Sequence, residues 1–272
     1  MSLLGAFDRA LPRAKLALGA SLRLLLLGHG VLGAVGWLAW HLTAADPSAP
    51  GPWLAAATLR LGSLVLISPW LSRQLTARLL GLPAAARTPR AQAIWALRTA
   101  LPIAMILLVP AIQALRLGPV LRLEAVLEAA PLTSWSVLGL GVLGLILRAR
   151  LGGLWSAATQ HPQRSLPELL RAQLGAPAQT TRLAAAGLEL GLLLLVLSIG
   201  ELLGALFGPS PRALLYVSPA TLRAALPGLL EAEAYATLIQ ALLLAPVHLV
   251  MLALWIEIEL RSEELAPRPP AP

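Results

Sequence analysis

The sequence predicts an all-α protein, a polytopic transmembrane helical bundle of about six spans with both termini in the cytoplasm. Composition supports a membrane location, since 57% of the 272 residues are hydrophobic and only 12% are charged. Soluble domains are about half apolar and roughly a quarter charged, so too few charges remain here to cover a soluble globule. Two further observations are six long apolar segments and an uneven distribution of basic residues. The same composition excludes a disordered chain, which requires low hydrophobicity and high charge.

Six segments meet or approach the length needed to cross a bilayer, whose ~30 Å hydrocarbon core requires about 20 mostly apolar residues in a helix; the fourth is the shortest. They cover approximately residues 24–42, 53–71, 94–115, 132–147, 183–207 and 234–256. The first exceeds the roughly 7–15 apolar residues of a cleavable signal sequence, so we expect it to be retained. Pro102, Pro110 and Pro246 interrupt the third and sixth segments, and neighbouring helices can satisfy the backbone groups that such prolines leave free.

Basic residues are concentrated on one side of this topology. Sixteen of the 21 fall in the N-terminal segment, in the connections after the second and fourth spans, and in the C-terminal tail. Because lysine and arginine are retained on the cytoplasmic side, we expect an N-in and C-in orientation. The composition, with Lys15 the only lysine, is typical of a GC-rich bacterial coding sequence, which makes a bacterial inner membrane the expected location. Residues 1–262 then form a single transmembrane domain, and the Pro-rich residues 263–272 form a disordered cytoplasmic tail.

Three of the connections are expected to contain short helices. Apolar residues recur at helical spacing over residues 117–130, which favours an amphipathic helix in the outer interface. Ser218 before Pro219 is typical of a helix start, with serine as the cap and proline at the first helical position. The cytoplasmic connection 148–182 is expected to contain a helix near Leu166–Leu174.

The sequence lacks the residues that most catalytic and metal sites require. It contains no cysteine, and its four histidines are scattered without metal-ligand spacing. Nucleotide-binding and hydrolase motifs are missing. The basic residues also form no stripe interleaved with aromatic residues, which would indicate nucleic-acid binding. We therefore expect no catalytic residue, no metal, no cofactor and no nucleic-acid partner.

Six polar residues occupy energetically costly positions within or near the predicted spans and are the candidate functional residues. They are Arg60, Arg98, Glu189, Glu201, His29 and His248. A charge at the centre of a membrane costs about 2.5–3.5 kcal/mol on insertion scales, so each is expected to face a partner or water. With a rise of ~1.5 Å per residue, Glu201 lies at a depth similar to that of Arg60, which predicts one ion pair. Glu189 lies near the depth of Arg98 and His29, which predicts a second pair with one of them. These charges are expected to be structural, with a ligand-binding role as the alternative.

The sixth span carries further polar residues. We expect His248, close to Pro246, to be neutral and hydrogen-bonded across the bundle, with a proton-sensitive site as the alternative. Glu257 and Glu259 follow where the span ends. Their charge opposes the helix dipole, so cytoplasmic arginines should compensate it.

Glycines are spaced four apart in the fifth span. The segments GLELG (187–191) and GELLG (200–204) place Gly187, Gly191, Gly200 and Gly204 at this spacing, which Gly208 continues. Small residues at this spacing allow membrane helices to approach closely. The two sets lie on nearly opposite faces of the helix, so the fifth span is expected to be central, with neighbours on both sides.

Two segments resemble a family of six-span prokaryotic membrane proteins. The segment PVHLVMLALWIEIELR (246–261) is similar to the last span of proteins related to the glycerophosphodiester phosphodiesterase membrane domain and to YIP1-like proteins. RSLPELLRAQLG (164–175) is similar to the amphipathic lead-in before their fifth span. The resemblance implies an α-helical bundle without assigned chemistry and without the phosphodiesterase catalytic domain.

These observations favour a non-enzymatic accessory, scaffold or lipid-interacting component of the membrane. The first alternative is a permease-like transporter subunit with a polar path through the membrane, and a more remote one is a membrane-embedded enzyme that modifies lipid. Membrane lipid is the expected partner, with other membrane subunits or a cytoplasmic protein as further candidates.

Overall fold

The computed structural model describes residues 2–46, 50–83, 89–101, 139, 142–175, 180–204, 206–207 and 219–264. Across these ranges every regular element is a helix and no strand is present, which confirms the all-helical prediction for this part of the chain. The helices are α1 (Leu3–Ala45), α2 (Pro50–Leu79), α3 (Pro89–Trp95), α4 (Leu154–Gln160), α5 (Leu166–Gly175), α6 (Thr180–Gly204) and α7 (Pro219–Glu264). A π-helical turn, Ala96–Ala100, continues α3, and residues 142–151 are also helical.

Within the described ranges, four helices are long and apolar enough to cross a membrane: α1, α2, α6 and α7. They contain the predicted first, second and sixth spans, whereas α6 covers the predicted fifth span, 183–207, only as far as Gly204. Of the predicted third span, 94–115, the described residues cover only the beginning. Of the predicted fourth span, 132–147, they cover only the end. The predicted interfacial helix at 117–130 lies outside the described residues, as does the tail from residue 265.

The first and last helices along the chain, α1 and α7, extend well beyond the predicted spans. Helix α1 has 43 residues, about 65 Å at ~1.5 Å per residue, so the basic N-terminal segment is helical and continuous with the first span. Helix α7 begins at Pro219, the predicted helix start, but runs unbroken for 46 residues instead of forming two helices. The predicted boundaries were too narrow because an apolar segment indicates which residues can lie in hydrocarbon, whereas leucine, alanine and arginine favour a helix in either environment.

The chain forms two compact units, which are described separately. The long-helix unit comprises residues 7–87 and 188–254, and the short-helix unit comprises residues 1–6, 88–187 and 255–272. The first therefore contains most of α1, α2, α6 and α7, and the second contains α3, α4 and α5.

The outer surface of the long-helix unit is rich in exposed leucine. Leu27 on α1, Leu61 on α2 and Leu202 on α6 are 66%, 63% and 71% exposed. Soluble monomers rarely expose large contiguous apolar patches, whereas a helix surrounded by lipid does so without cost. This surface is therefore compatible with helices that face hydrocarbon.

Inside the long-helix unit, α6 packs against α7 through the second predicted glycine pair. A Cβ atom added at Gly204 would lie 2.7 Å from the Cβ of Ala236 and 2.9 Å from the carbonyl oxygen of Ala232. A Cβ added at Gly200 would collide with the side chain of Gln240. These two positions thus require glycine for close approach of the helices, as is common in membrane proteins.

The other predicted glycine positions differ. No described atom lies within 4 Å of a Cβ built at Gly187 or Gly191, and Gly208 lies outside the described residues. Of the two faces of α6 that were predicted to contact neighbours, only the face of Gly200 and Gly204 packs against another helix in the described residues.

In the short-helix unit, α5 begins where the sequence predicts a helix. The backbone N–H of Ser165 donates to Oε2 of Glu168 at 2.8 Å. This is the carboxylate half of a capping box, in which the third residue of a helix binds the backbone of the capping residue. The same hydrogen bond lowers the pKa of the Glu168 carboxyl, because it stabilises the ionised form.

Candidate functional site

The long-helix unit contains a hydrogen-bonded chain made by three helices. Nδ1 of His248 on α7 lies 3.1 Å from Nε2 of His29 on α1. Nε2 of His248 lies 3.0 Å from the hydroxyl oxygen of Ser72 on α2. The two imidazole rings meet edge to face at 5.3 Å, and His29 and Ser72 are buried. The structure therefore brings together the two histidines that the sequence analysis considered separately.

The chemistry of imidazole limits the proton arrangement of this chain. A neutral imidazole has one donor and one acceptor nitrogen. If Nε2 of His29 accepts from Nδ1 of His248, then Nε2 of His248 accepts from the hydroxyl of Ser72. Two neutral rings can therefore satisfy both contacts.

A cavity of about 280 Å³ lies beside His29 in the same unit. Its walls come from α1, α2 and α7, and its polar lining residues are His29, Arg60, Ser63, Ser68, Thr237 and Gln240. Pockets for drug-sized ligands occupy about 300–1,000 Å³, so this volume suits a small group. The cavity is partly open, and Leu64, which also lines it, is 42% exposed. Its opening therefore borders the apolar surface of α2.

Arg60 carries the formal charge of this lining. Its guanidinium carbon lies 4.8 Å from the ring centroid of Trp40, the geometry of a cation–π contact. The indole N–H of Trp40 donates to the hydroxyl of Thr237 at 2.9 Å, which fixes the ring beneath the cation. Glu233 attracts Arg60 electrostatically. No side chain in the described ranges accepts a hydrogen bond from the Arg60 guanidinium, and Arg60 lines the cavity.

The predicted partner of Arg60 was Glu201. The side chain of Glu201 lies outside the described residues, so that pairing stays a prediction. The described partners, Trp40 and Glu233, were missed because both lie close to the ends of their predicted spans, whereas the prediction paired residues at the same depth as Arg60. The signal available for Glu233 was its acidic character at the beginning of the sixth span.

Gln240 connects this site to α6. Its amide nitrogen donates to the carbonyl oxygen of Leu197 at 3.2 Å, and Gly200 leaves the space that its side chain occupies. Gln240 also lines the cavity. Glu189, on the same helix, is half-buried. Its predicted pairing with His29 or Arg98 stays a prediction.

The short-helix unit contains a second polar cluster. The Nη2 atom of Arg182 lies 2.8 Å from Oε2 of Glu259, and the two side chains are 4% and 5% exposed. The amide nitrogen of Gln173 donates to the other carboxylate oxygen, while its amide oxygen accepts from Arg182 at 3.4 Å. Gly153 leaves the space for this carboxylate. The expected compensation of Glu259 by an arginine is thus confirmed, and the cytoplasmic location of that arginine stays a prediction.

Arg98 contacts backbone in the same unit. Its Nε donates to the carbonyl oxygen of Gly152 at 2.9 Å, in a buried position, and its own carbonyl oxygen accepts from Arg148. The side chain therefore satisfies a carbonyl group beside Trp255, whose ring occupies the space above Gly152. This arrangement is that of a residue that holds helices together.

The two clusters differ in what they can do. In the short-helix unit, the charges of Arg182 and Glu259 neutralise each other and Gln173 hydrogen-bonds both side chains, so the cluster stabilises the fold. In the long-helix unit, Arg60 and Gln240 line a cavity, which makes the cavity the candidate binding site. No group of three or more His, Asp or Glu residues that could hold a metal ion occurs among the residues described.

Comparison with known proteins found no matching family model, no similar curated protein and no similar solved structure. The resemblance to six-span prokaryotic membrane proteins therefore stays a prediction.

Proposed function

We propose that this chain is a multi-pass protein of a bacterial inner membrane, with six spans and both termini in the cytoplasm, that serves as a non-enzymatic, lipid-interacting component. The cavity of the long-helix unit is the observation that carries the proposal. Its lining combines polar residues, among them Arg60, with a largely apolar surface, and includes the exposed Leu64. Such a lining suits an amphiphile, whose polar end and apolar chain need both environments.

Contacts between α1 and α2 support the orientation. Nη1 of Arg13 donates to the carbonyl oxygen of Leu79 at 3.2 Å, and Arg78 donates to the carbonyl oxygen of Ala20. The basic N-terminal part of α1 therefore lies beside the basic C-terminal end of α2. Two basic segments on one side are expected when that side is the cytoplasm.

The orientation can be tested with reporter fusions. Alkaline phosphatase or green fluorescent protein is fused near positions 48, 85, 125, 165 and 215. The phosphatase should be active at 48, 125 and 215, on the periplasmic side, and the fluorescent protein at 85 and 165, on the cytoplasmic side. Failure of the fusions at 125 and 165 to alternate would remove the third and fourth spans from the topology.

A permease-like subunit is the second candidate, and the same cavity favours it because three helices contribute polar groups at one level. The absence of cysteine from the sequence allows single-cysteine variants to separate the two functions. A cysteine in place of Ser68 lines the cavity, and one in place of Leu61 faces outward on the same helix. A water-filled path predicts that a membrane-impermeant maleimide labels Ser68→Cys, but not Leu61→Cys, in intact vesicles. A lipid-occupied site predicts labelling of Ser68→Cys only after lipid is stripped with detergent.

Retention of lipid tests the leading function directly. The protein purified from native membrane in mild detergent should carry stoichiometric lipid in native mass spectrometry. A protein that releases all lipid under these conditions, and whose Ser68→Cys variant is labelled in intact vesicles, would favour the permease-like subunit.

A further inference from the structure

We propose that the cavity of the long-helix unit binds an acidic oxyanion group, such as a phosphate or carboxylate, through the guanidinium of Arg60. The inference deepens the proposed function, on which it rests, by naming the chemistry of the bound group. The shared chemistry is that of a phospholipid headgroup and of a free anion, and the experiment below separates these two sources.

The lining of the cavity has the charge and the donors that an anion requires. Arg60 is cationic, the other polar lining residues are neutral, and neither aspartate nor glutamate occurs among the described lining residues. The guanidinium presents its donors in a planar fork that matches carboxylate and phosphate. Gln240 and Thr237 also line the cavity, and their amide and hydroxyl groups are of the kind that donates to an anion.

The energetic cost of placing Arg60 in a span also favours an anion. A charged side chain in hydrocarbon is costly unless it is paired or hydrated. The ring of Trp40 and the more distant charge of Glu233 offset this cost in part. An oxyanion in the cavity would neutralise the charge of Arg60 and accept hydrogen bonds from its guanidinium. This ion pair would be stronger there than in water because the surroundings are of low polarity.

The position of the opening favours an amphiphile as the source. Leu64 lines the cavity and is exposed, and Leu61 on the same helix is exposed as well. The apolar chain of a lipid could lie along this surface while its headgroup reaches Arg60. A free anion would gain nothing from the leucines.

The test measures binding of two defined probes to the full-length protein. Phosphatidylglycerol is titrated into protein held in phosphatidylcholine nanodiscs, and inorganic phosphate is titrated into protein in neutral detergent. The readout is tryptophan fluorescence, because an anion that draws the guanidinium away from Trp40 changes the environment of that ring. Trp40→Phe identifies the part of the signal that comes from this residue.

Arg60→Gln is expected to weaken binding by about tenfold or more, as for the loss of a charge-assisted hydrogen bond. Arg60→Lys should give an intermediate affinity, because it keeps the charge and loses the fork. Arg23→Gln is the matched control, since Arg23 is exposed on α1 and does not line the cavity. An unchanged elution volume in size-exclusion chromatography shows that each variant is folded.

Each outcome either supports or overturns the inference. Arg60-dependent binding of phosphatidylglycerol supports it with lipid as the source, and Arg60-dependent binding of phosphate alone supports it with a free anion as the source while contradicting the lipid-interacting function. Equal affinity of wild type, Arg60→Gln and Arg23→Gln for both probes overturns it. If the protein nevertheless retains neutral or zwitterionic lipid, the proposed function stands and only the acidic chemistry is refuted.

Discussion

Removal of one partner of the buried Arg182–Glu259 pair should destabilise the short-helix unit strongly. Both side chains are almost fully buried, so Arg182→Leu would leave a carboxylate in an apolar site. Breaking a buried pair in this way costs about 3–5 kcal/mol. The amide of Gln173 still donates to Glu259 in the variant, which places the expected loss near the lower end of that range.

The measurement is the free energy of unfolding in mixed micelles, obtained by titration with a denaturing detergent and followed by circular dichroism. Arg171→Leu is the matched control, because Arg171 is exposed on α5 in the same unit, and its effect should stay within about 0.5 kcal/mol. A double-mutant cycle with Glu259→Leu isolates the coupling between the two side chains. A coupling below about 1 kcal/mol, the value of an exposed pair, would refute the conclusion that this pair holds the unit together.

Three further predictions concern the cap of α5, the packing of α6 and the depth match. The pKa of Glu168 is lower in the folded protein than in the unfolded chain. The ionised carboxylate should therefore stabilise the fold fully above the ordinary glutamate pKa, and this stabilisation should be lost as the pH falls through the lowered pKa of the folded state. Stability curves of wild type and Glu168→Gln should therefore converge below about pH 4; parallel curves would contradict the cap. Gly204→Ala should destabilise the protein by about 1–3 kcal/mol through overpacking, whereas Gly191→Ala should be neutral or stabilising because alanine favours a helix by about 1 kcal/mol; equal effects in denaturation would argue against this packing. Cysteines replacing Arg60 and Glu201 should be joined by a crosslinker whose length matches the combined reach of the two native side chains, because a disulfide requires a closer approach than an ion pair; a failure to crosslink would remove the predicted pair.

Several features could be predicted from local sequence alone. The apolar segments identified the four long helices, because the cost of leaving backbone or charge in hydrocarbon depends on each segment by itself. A helix was expected near Leu166–Leu174, close to the observed bounds of α5, and the contact that caps this helix joins residues only three positions apart. The compensation of Glu259 followed from the helix dipole, which is also a local property.

The partners within the bundle could not be predicted in the same way. Depth arithmetic placed His29 near Glu189, whereas the structure joins His29 to His248, which is 219 positions away in the sequence. Depth fixes one coordinate of a side chain, but a hydrogen bond also requires that two helices be neighbours and turn the correct faces toward each other. Trp40 was missed as a partner of Arg60 for a different reason, because it lies close to the end of the predicted first span and not at the depth of Arg60.

The sequence by itself determined that the described chain is helical, which segments are apolar enough for a bilayer, and which few polar groups must find partners. Only the tertiary structure decided that His29, His248 and Ser72 form one chain, that Arg60 lines a cavity over Trp40, and that Arg182 is the arginine that neutralises Glu259. The physical reason is that transfer into hydrocarbon is a property of single segments. A contact between side chains depends on the order, rotation and register of helices, and these are set by the packing of many residues at once.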